Sequence, residues 1–321
     1  MTNLKDMLSN IKQKALANFP FVNEFSINMS IKKAGNTLND YEHRHLRSRA
    51  VKYYIRKLED CLRKTDNPNA FILSKESVKV VSNGIILDTA GNNKFFKTAG
   101  GSDSNIGKGM LDFLNKKKIG IKTMVDVGAN QGEIALYFSK NVPGIKILAI
   151  EASSGNFDLL KENCRSQFFQ TDNIILAKIA VSDKKGTINI TKGLNSENTT
   201  VIDKLGSDTG EMETVPCKPL ADILNDYKFG NVDFLKIDIE GGEPLLYESI
   251  KQMAKNLKAV HIEVGDKKDH SEYVKLLELL WKNNMDCFLY PNETKFSSLK
   301  ELIDFITNKN KETLEFWFIK K

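Results

Sequence analysis

From about residue 105 onward, apolar positions come in two alternating rhythms. Short, nearly continuous apolar runs such as "KTMVDVG", "IKILAIEA", "NIILAKIAVS", "VDFLKIDIE" and "KAVHIEVG" predict buried strands. Between them, "QGEIALYFSKN", "GNFDLLKENCRSQF", "KPLADILNDY", "EPLLYESIKQMA" and "SEYVKLLELLWKNN" space their apolar residues at helical intervals, as does "GKGMLDFLNKK" ahead of the first strand. Two further strands are predicted at "DCFLYP" and "ETLEFWFIKK". Strands that alternate with helices, with both sheet faces covered, predict an open, doubly wound, mostly parallel α/β sheet. Ligands bind such sheets at the carboxyl ends of the strands, near the switch in strand order.

The first part of the chain follows another pattern. Residues 1 to about 68 predict a helical N-terminal extension; Val51, Ile55, Leu58 and Leu62 share one helix face. "TDNPNA" breaks that pattern. Residues 69–104 predict a β-rich lead-in, with Asn83-Gly84 suited to a two-residue hairpin turn. A single α/β domain over 105–321 is then expected.

Composition narrows the class. The chain has 321 residues, 41% hydrophobic and 27% charged, ordinary values for a globular protein. No apolar run reaches the ~18 residues of a membrane span, and "MTNLKDMLSNIKQKALANFPF" lacks the apolar core of a signal peptide. Cys61, Cys164, Cys217 and Cys287 form no C-x-x-C pair, which argues against a disulfide framework or a cysteine zinc site. A cytoplasmic location is the expectation. The net charge is +6, and Lys32 to Lys64 holds ten Lys/Arg against four acids. That basic segment would suit an acidic glycan, a phosphate-bearing carrier or RNA, but an ordinary solvated face explains it better. Tyr53 and Tyr54 are too few for a base-stacking platform, so nucleic acid is not the expected partner. The N-terminal helices offer a route to homo-oligomers or to shaping an acceptor site.

The chemistry concentrates at the strand tips. "VDVGANQG" turns a strand through two glycines into a helix. A pyrophosphate is a poor fit there, because Asp126 just ahead of Gly128 would repel it by about 4 kcal/mol at close range. Asn130 also occupies the place of the second glycine of G-x-G-x-x-G, and no G-K-[ST] follows for a triphosphate. The other tips are acidic as well: Glu151, Asp238, Glu240 and Glu263. Carboxylates suit a cationic ligand without phosphate, and S-adenosylmethionine, with its sulfonium and ammonium, is one.

The ordered set "VDVGANQG", "AIEAS", "AVSDKKG", "LKIDIEGGE" and "HIEVG" resembles the successive motifs of FkbM-type S-adenosylmethionine-dependent methyltransferases, over roughly residues 105 to 265. The resemblance implies the class I methyltransferase (Rossmann-like) fold, a seven-stranded sheet whose last two strands form an antiparallel hairpin. It implies S-adenosylmethionine as cofactor, and a hydroxyl of a polysaccharide, glycolipid or secondary metabolite as acceptor. Gly128, Asn130 and Gly132 would then form the cofactor loop. Asp126 would hold the ammonium, directly or through water, although capping the next helix is its competing role. Glu151 would accept both ribose hydroxyls, since a carboxylate is the right acceptor for a vicinal diol. The chain departs from the family pattern at Ala152, where a proline usually follows. Val181 and Ser182, with Ala180, fall where the family places adenine; Asp183 would accept the exocyclic amine or serve only in a turn.

Lys236, Asp238 and Glu240 alternate along one strand and share a face, as do His261 and Glu263 on another. Lys236 is expected to neutralise Asp238 or Glu240, and His261 to pack within the sheet. Asp238, Glu240 and Glu263 are the candidate bases for transfer to a weakly acidic hydroxyl. A divalent cation held by the same carboxylates is the competing route, but no dedicated metal cage is legible. His43, His45 and His270 are expected at the surface. The long polar segment 193–212, with Asn195, Ser196 and Asn198, would either meet the acceptor or form a surface loop.

Overall fold

A computed structural model of the chain describes residues 70–73, 78–82, 85–88, 106–167, 169–191, 212–265, 270–308 and 313–321. The expected N-terminal helices with their basic segment, His43 and His45, the Asn83-Gly84 turn, and Asn195, Ser196 and Asn198 lie outside these residues.

Contacts divide the chain into two units, residues 1–106 and 107–321. In the first, strands β1 (Ala70–Leu73), β2 (Val78–Ser82) and β3 (Ile85–Asp88) form an antiparallel sheet in chain order. Ser82 stands opposite Ile85, so the strands flanking Asn83-Gly84 pair as a hairpin requires.

The second unit begins with helix α1 (Ile106–Lys116) and is built on an eight-stranded sheet. Its parallel strands are β4 (Thr123–Val127), β5 (Lys146–Glu151), β6 (Ile174–Lys178), β10 (Phe234–Ile237) and β11 (Ala259–Val264). Strands β12 (Met285–Tyr290), β13 (Thr294–Lys295) and β14 (Leu314–Lys320) complete it. The order is β13-β12-β14-β11-β10-β4-β5-β6, and β14 runs antiparallel between β11 and β12. Without the two-residue edge strand β13, this is the seven-stranded sheet that the resemblance implies. The last two long strands pair antiparallel but are not a tight hairpin: β13 and helix α7 (Leu299–Asn308) come between them.

Burial explains the apolar runs. All of β10, and every residue of β4 after Thr123, is buried between helix layers. Helix α6 (Ser271–Lys282) buries Tyr273, Leu276, Leu277 and Leu280, one stripe at i, i+3, i+4 and i+7. Helices α2 (Glu133–Asn141), α3 (Ser154–Arg165), α4 (Leu220–Asp226) and α5 (Tyr247–Met253) fill the crossovers, α5 being entered through a 3-10 turn at Glu243–Leu246.

The run "NIILAKIAVS" does not make one strand. The chain leaves the main sheet after β6, and β7 (Ala180–Val181) joins a second sheet of order β7-β9-β8. Strands β8 (Gly186–Thr191) and β9 (Met212–Lys218) are an antiparallel pair around a small core of Ala180, Ile190, Val215 and Cys217.

Candidate functional site

The acidic residues gather because the parallel strands end at a common level. In register, Asp126 stands beside Lys236, and Lys236 beside His261. One pleat further on, Glu263 stands opposite Glu315, and Asp238 follows β10 at the same edge. Paired residues of neighbouring strands point to the same face, so the topology lines up two rows of ionisable groups.

Lys236 organises the first row. Its ammonium, 3% exposed as a residue, donates to the Gly128 carbonyl at 2.9 Å and lies 3.4 Å from Asp126 Oδ1 and 3.3 Å from Asp238 Oδ2. Burial pulls its pKa down, but the Asp238 and Asp126 carboxylates outweigh that and hold it above its ordinary value. The neutralising role expected of Lys236 therefore falls on Asp238 and Asp126. Asp126 is fully buried; burial pushes its carboxyl up and Lys236 pulls it back. A ligand ammonium would have to compete with that lysine for it.

The two glycines of the loop have protein neighbours that demand them. Gly128 has φ +78°, and a Cβ there would lie 1.8 Å from the Asp238 carbonyl oxygen. Gly132 has φ +90°, and its Cβ would meet Leu160 Cδ1 of α3 at 2.4 Å. Between them Asn130 also adopts positive φ, 49°. Its backbone N–H donates to Glu151 Oε2 at 2.9 Å, and Ser153 N–H donates to Oε1 at 2.8 Å. Glu151 is thus clamped across the tips of β4 and β5. Burial raises its pKa, and the two backbone donors partly offset that. Each carboxylate oxygen retains a second lone pair, which is what a vicinal diol needs. The buried Asn130 Oδ1 has no hydrogen-bond partner among the described residues and would gain one from a donor ligand. This donor set fits a cationic, ribose-bearing ligand.

Asp238 and Glu263 form a carboxyl pair at the rim. Burial alone would raise Asp238, but Lys236 and a hydrogen bond from Glu263 hold it below its ordinary value, and its side chain is 38% exposed. Burial, the bond to Asp238 and repulsion from Asp238, Glu240 and Glu243 push Glu263 up to about 10. A proton shared by the pair therefore favours Glu263, and the partly exposed Asp238 is the member that ionises first. Glu240 is exposed in the adjoining turn with φ 54°.

The remaining predicted positions make contacts of their own. Val181 and Ser182 are buried; Ser182 N–H donates to Lys218 O at 3.0 Å and its hydroxyl to Asp183 Oδ1 at 3.1 Å. Ala152 packs against the small core of the second sheet. His261 is buried edge-on to Tyr290 and Trp317, with Nε2 3.1 Å from Glu315 Oε2. His270 is not at the surface as expected: it is buried ahead of α6, against the ring of Tyr273. Among the described residues no group of three or more His, Cys, Asp or Glu is placed to hold a metal ion, and no helix is long and apolar enough to cross a membrane.

Sequence reasoning missed Glu243 and Tyr273. Glu243 is fully buried, accepts from the backbone N–H groups of Ile239 and Gly241, and takes the Tyr273 hydroxyl at 2.5 Å. An acid directly after Gly241-Gly242 at a helix start was the legible signal. Nothing local marks Tyr273, which lies 30 residues further on. Glu213 of β9 was missed too; it accepts from the N–H and hydroxyl of Ser154 at the start of α3.

No curated protein sequence matches the chain. Among solved structures, it is similar to a methyltransferase FkbM from Methylobacillus flagellatus KT, with 15% identity over 62% of this chain and 43% of that one (TM-score 0.40). The chain therefore spans less than half the length of that protein. The plantazolicin methyltransferase BamL gives 12% identity over 70% of this chain and 89% of that one (TM-score 0.39). A putative O-methyltransferase from Klebsiella pneumoniae gives 9% over 67% and 81% (TM-score 0.36). The family described as the methyltransferase FkbM domain matches residues 126–311, which begin at Asp126, take in every carboxylate of the rim and cover more than half of the sequence. By that match the chain belongs to the FkbM family of S-adenosylmethionine-dependent methyltransferases.

Proposed function

We propose that the protein transfers a methyl group from S-adenosylmethionine to a hydroxyl of a sugar in a surface polysaccharide, glycolipid or secondary metabolite. The observation that carries this reading is the Asp238–Glu263 pair beside the glycine loop, with the buried Lys236 ammonium 3.3 Å from Asp238. S-adenosylmethionine supplies an electrophilic methyl on a sulfonium. Methyl transfer is an in-line displacement that depends on alignment. Glu151 would accept the ribose hydroxyls, and the Gly128–Gly132 loop would carry the methionine part, with Asp126 setting the charge behind it. Val181 and Ser182 would border the adenine.

Asp238 would accept a hydrogen bond from the acceptor hydroxyl and take its proton as the oxygen attacks. The Lys236 ammonium and the Glu263 hydroxyl hold that carboxylate in place through the transfer. Glu240, exposed in the same turn, would meet the acceptor. The sugar assignment follows the family resemblance; the chemistry of the rim supports a hydroxyl acceptor but does not choose which.

Calorimetric titration with S-adenosylmethionine and S-adenosylhomocysteine, with NAD as control, tests the cofactor. We expect micromolar binding of both adenosyl ligands and at least a tenfold loss in Glu151→Ala. Binding of NAD alone would sink the proposal. In a glycan screen with labelled methyl donor, Asp238→Asn should lower turnover by about 100-fold or more, the range of a lost general base.

A further inference from the structure

The two turns that carry the rim carboxylates are joined beneath the surface by two fully buried side chains. Glu243 Oε1 accepts Ile239 N–H at 3.0 Å and Gly241 N–H at 3.1 Å, bracketing Glu240 in the turn after β10. Its other oxygen accepts the Tyr273 hydroxyl at 2.5 Å. That phenol oxygen in turn accepts Gly265 N–H at 3.4 Å, two residues past Glu263 at the end of β11. Glu243 and Tyr273 are both fully buried. A chain therefore runs from the Asp238–Glu240 turn through one carboxylate and one phenol to the strand end bearing Glu263.

Burying a carboxylate costs several kcal/mol unless hydrogen bonds compensate it, and here two amides and a hydroxyl do so. Core stability alone would be served as well by apolar residues of the same volume. A buried polar network that is fully satisfied fixes one geometry. The geometry it fixes puts Glu240 in the left-handed region that favours glycine, at φ 54°, followed by Gly241 at φ 101°.

We propose that Glu243 and Tyr273 are positioning residues, a buried brace that holds the Asp238–Glu240 turn and the Glu263 strand end at one mutual distance and so sets the carboxylate field met by the sulfonium. The proposal rests on the cofactor reading above for its functional half. The brace itself can be tested without any ligand.

The first measurement is amide hydrogen exchange on the whole protein, comparing wild type, Tyr273→Phe and Glu243→Gln. Tyr273→Phe removes one oxygen that bonds Gly265 but neither Ile239 nor Gly241. A brace requires faster exchange at all three amides. Acceleration confined to Gly265 means that the turns are independent and overturns the proposal. Glu243→Gln keeps one oxygen for the amides and should retain most of the protection at Ile239 and Gly241.

The second measurement is the ratio of S-adenosylmethionine to S-adenosylhomocysteine affinity, which differ by the sulfonium charge. Tyr273→Phe, which removes no charge from the carboxylate field, should lower that ratio at least threefold. Coupled exchange with an unchanged ratio would make the brace purely structural and overturn its positioning role. If wild type binds neither ligand, the cofactor reading fails, while the exchange data still decide whether the brace exists.

Discussion

At Glu263 a proton is held where an ordinary carboxylate would have lost it. Its pKa of about 10 in the folded protein exceeds its ordinary value of 4.5, so the folded state binds one more proton than the unfolded state between those values. Stability from this group is complete below the lower value and declines as pH rises toward the upper one. Asp126 and Glu151, also raised, act with the same sign above the ordinary carboxylate range. Asp238 and Asp233 are lowered, and their contributions are lost only in acid. Lys236 is raised and loses its contribution only above the ordinary lysine range. Between about pH 6 and 9, Glu263 should therefore make stability fall as pH rises. Urea denaturation across that window should show wild type losing stability with rising pH. Glu263→Gln, neutral throughout, should flatten the slope; an equally steep slope in the variant would place the proton elsewhere.

Among elements, the turn from β4 into α2 ties sequence to site most closely, and its two glycines are not equivalent. Gly128 faces backbone that cannot move aside, the Asp238 carbonyl, whereas Gly132 faces the tip of a flexible Leu160 side chain. The left-handed backbone costs a non-glycine residue about 1–2 kcal/mol at either position, and overpacking adds about 1–3 kcal/mol where nothing yields. Gly128→Ala should thus lose about 3 kcal/mol or more and pry β4 from β10, while Gly132→Ala should lose about half as much. Urea midpoints of the two variants, measured side by side, check the order. The glycines and the acids at the strand tips were legible because the class of fold fixes where strand tips go. The reasons for the glycines were not, since Asp238 and Leu160 reach them only through tertiary packing. The second sheet escaped notice for a related reason. In "GTINIT" only Ile188 and Ile190 alternate, and β9 pairs with β8 across a long polar insertion. Helix α7 does carry Leu302 and Ile306 at helical spacing, buried as that spacing requires; a short apolar stripe in a polar stretch is easily read as loop. His270 was misplaced because a lone histidine before a helix gives no sign of the Tyr273 ring that covers it.

Five acids of the second unit share one edge of the central sheet. Asp126, Glu151, Asp238, Glu240 and Glu263 stand at the carboxyl ends of the strands, while Lys122, Lys258 and Lys320 stand at the opposite edge. Lys258 and Lys320 meet there through a backbone bond, and Lys258 pairs with Asp233 at 2.9 Å. Strands of five or six residues separate the edges by about 15–20 Å. That is about twice the Debye length at physiological ionic strength, so the lysines scarcely weaken the field of the rim under those conditions. At the rim, Lys236 cancels one of the two carboxylates beside it and Glu263 holds its proton, which leaves Asp238 or Asp126, together with Glu151 and Glu240, as residual negative charge. S-adenosylmethionine carries one net positive charge at neutral pH and S-adenosylhomocysteine none. The affinity of the first should fall several-fold, on the order of 1 kcal/mol, as salt rises from physiological strength to about 1 M, while that of the second should barely change. Below physiological strength the curve should flatten, because the longer screening length lets the lysine edge oppose the rim. Parallel calorimetric titrations over this range test both parts. Equal salt dependence for the two ligands would mean that the strand-tip carboxylates do not act on the sulfonium, and that the acidic rim serves the fold alone.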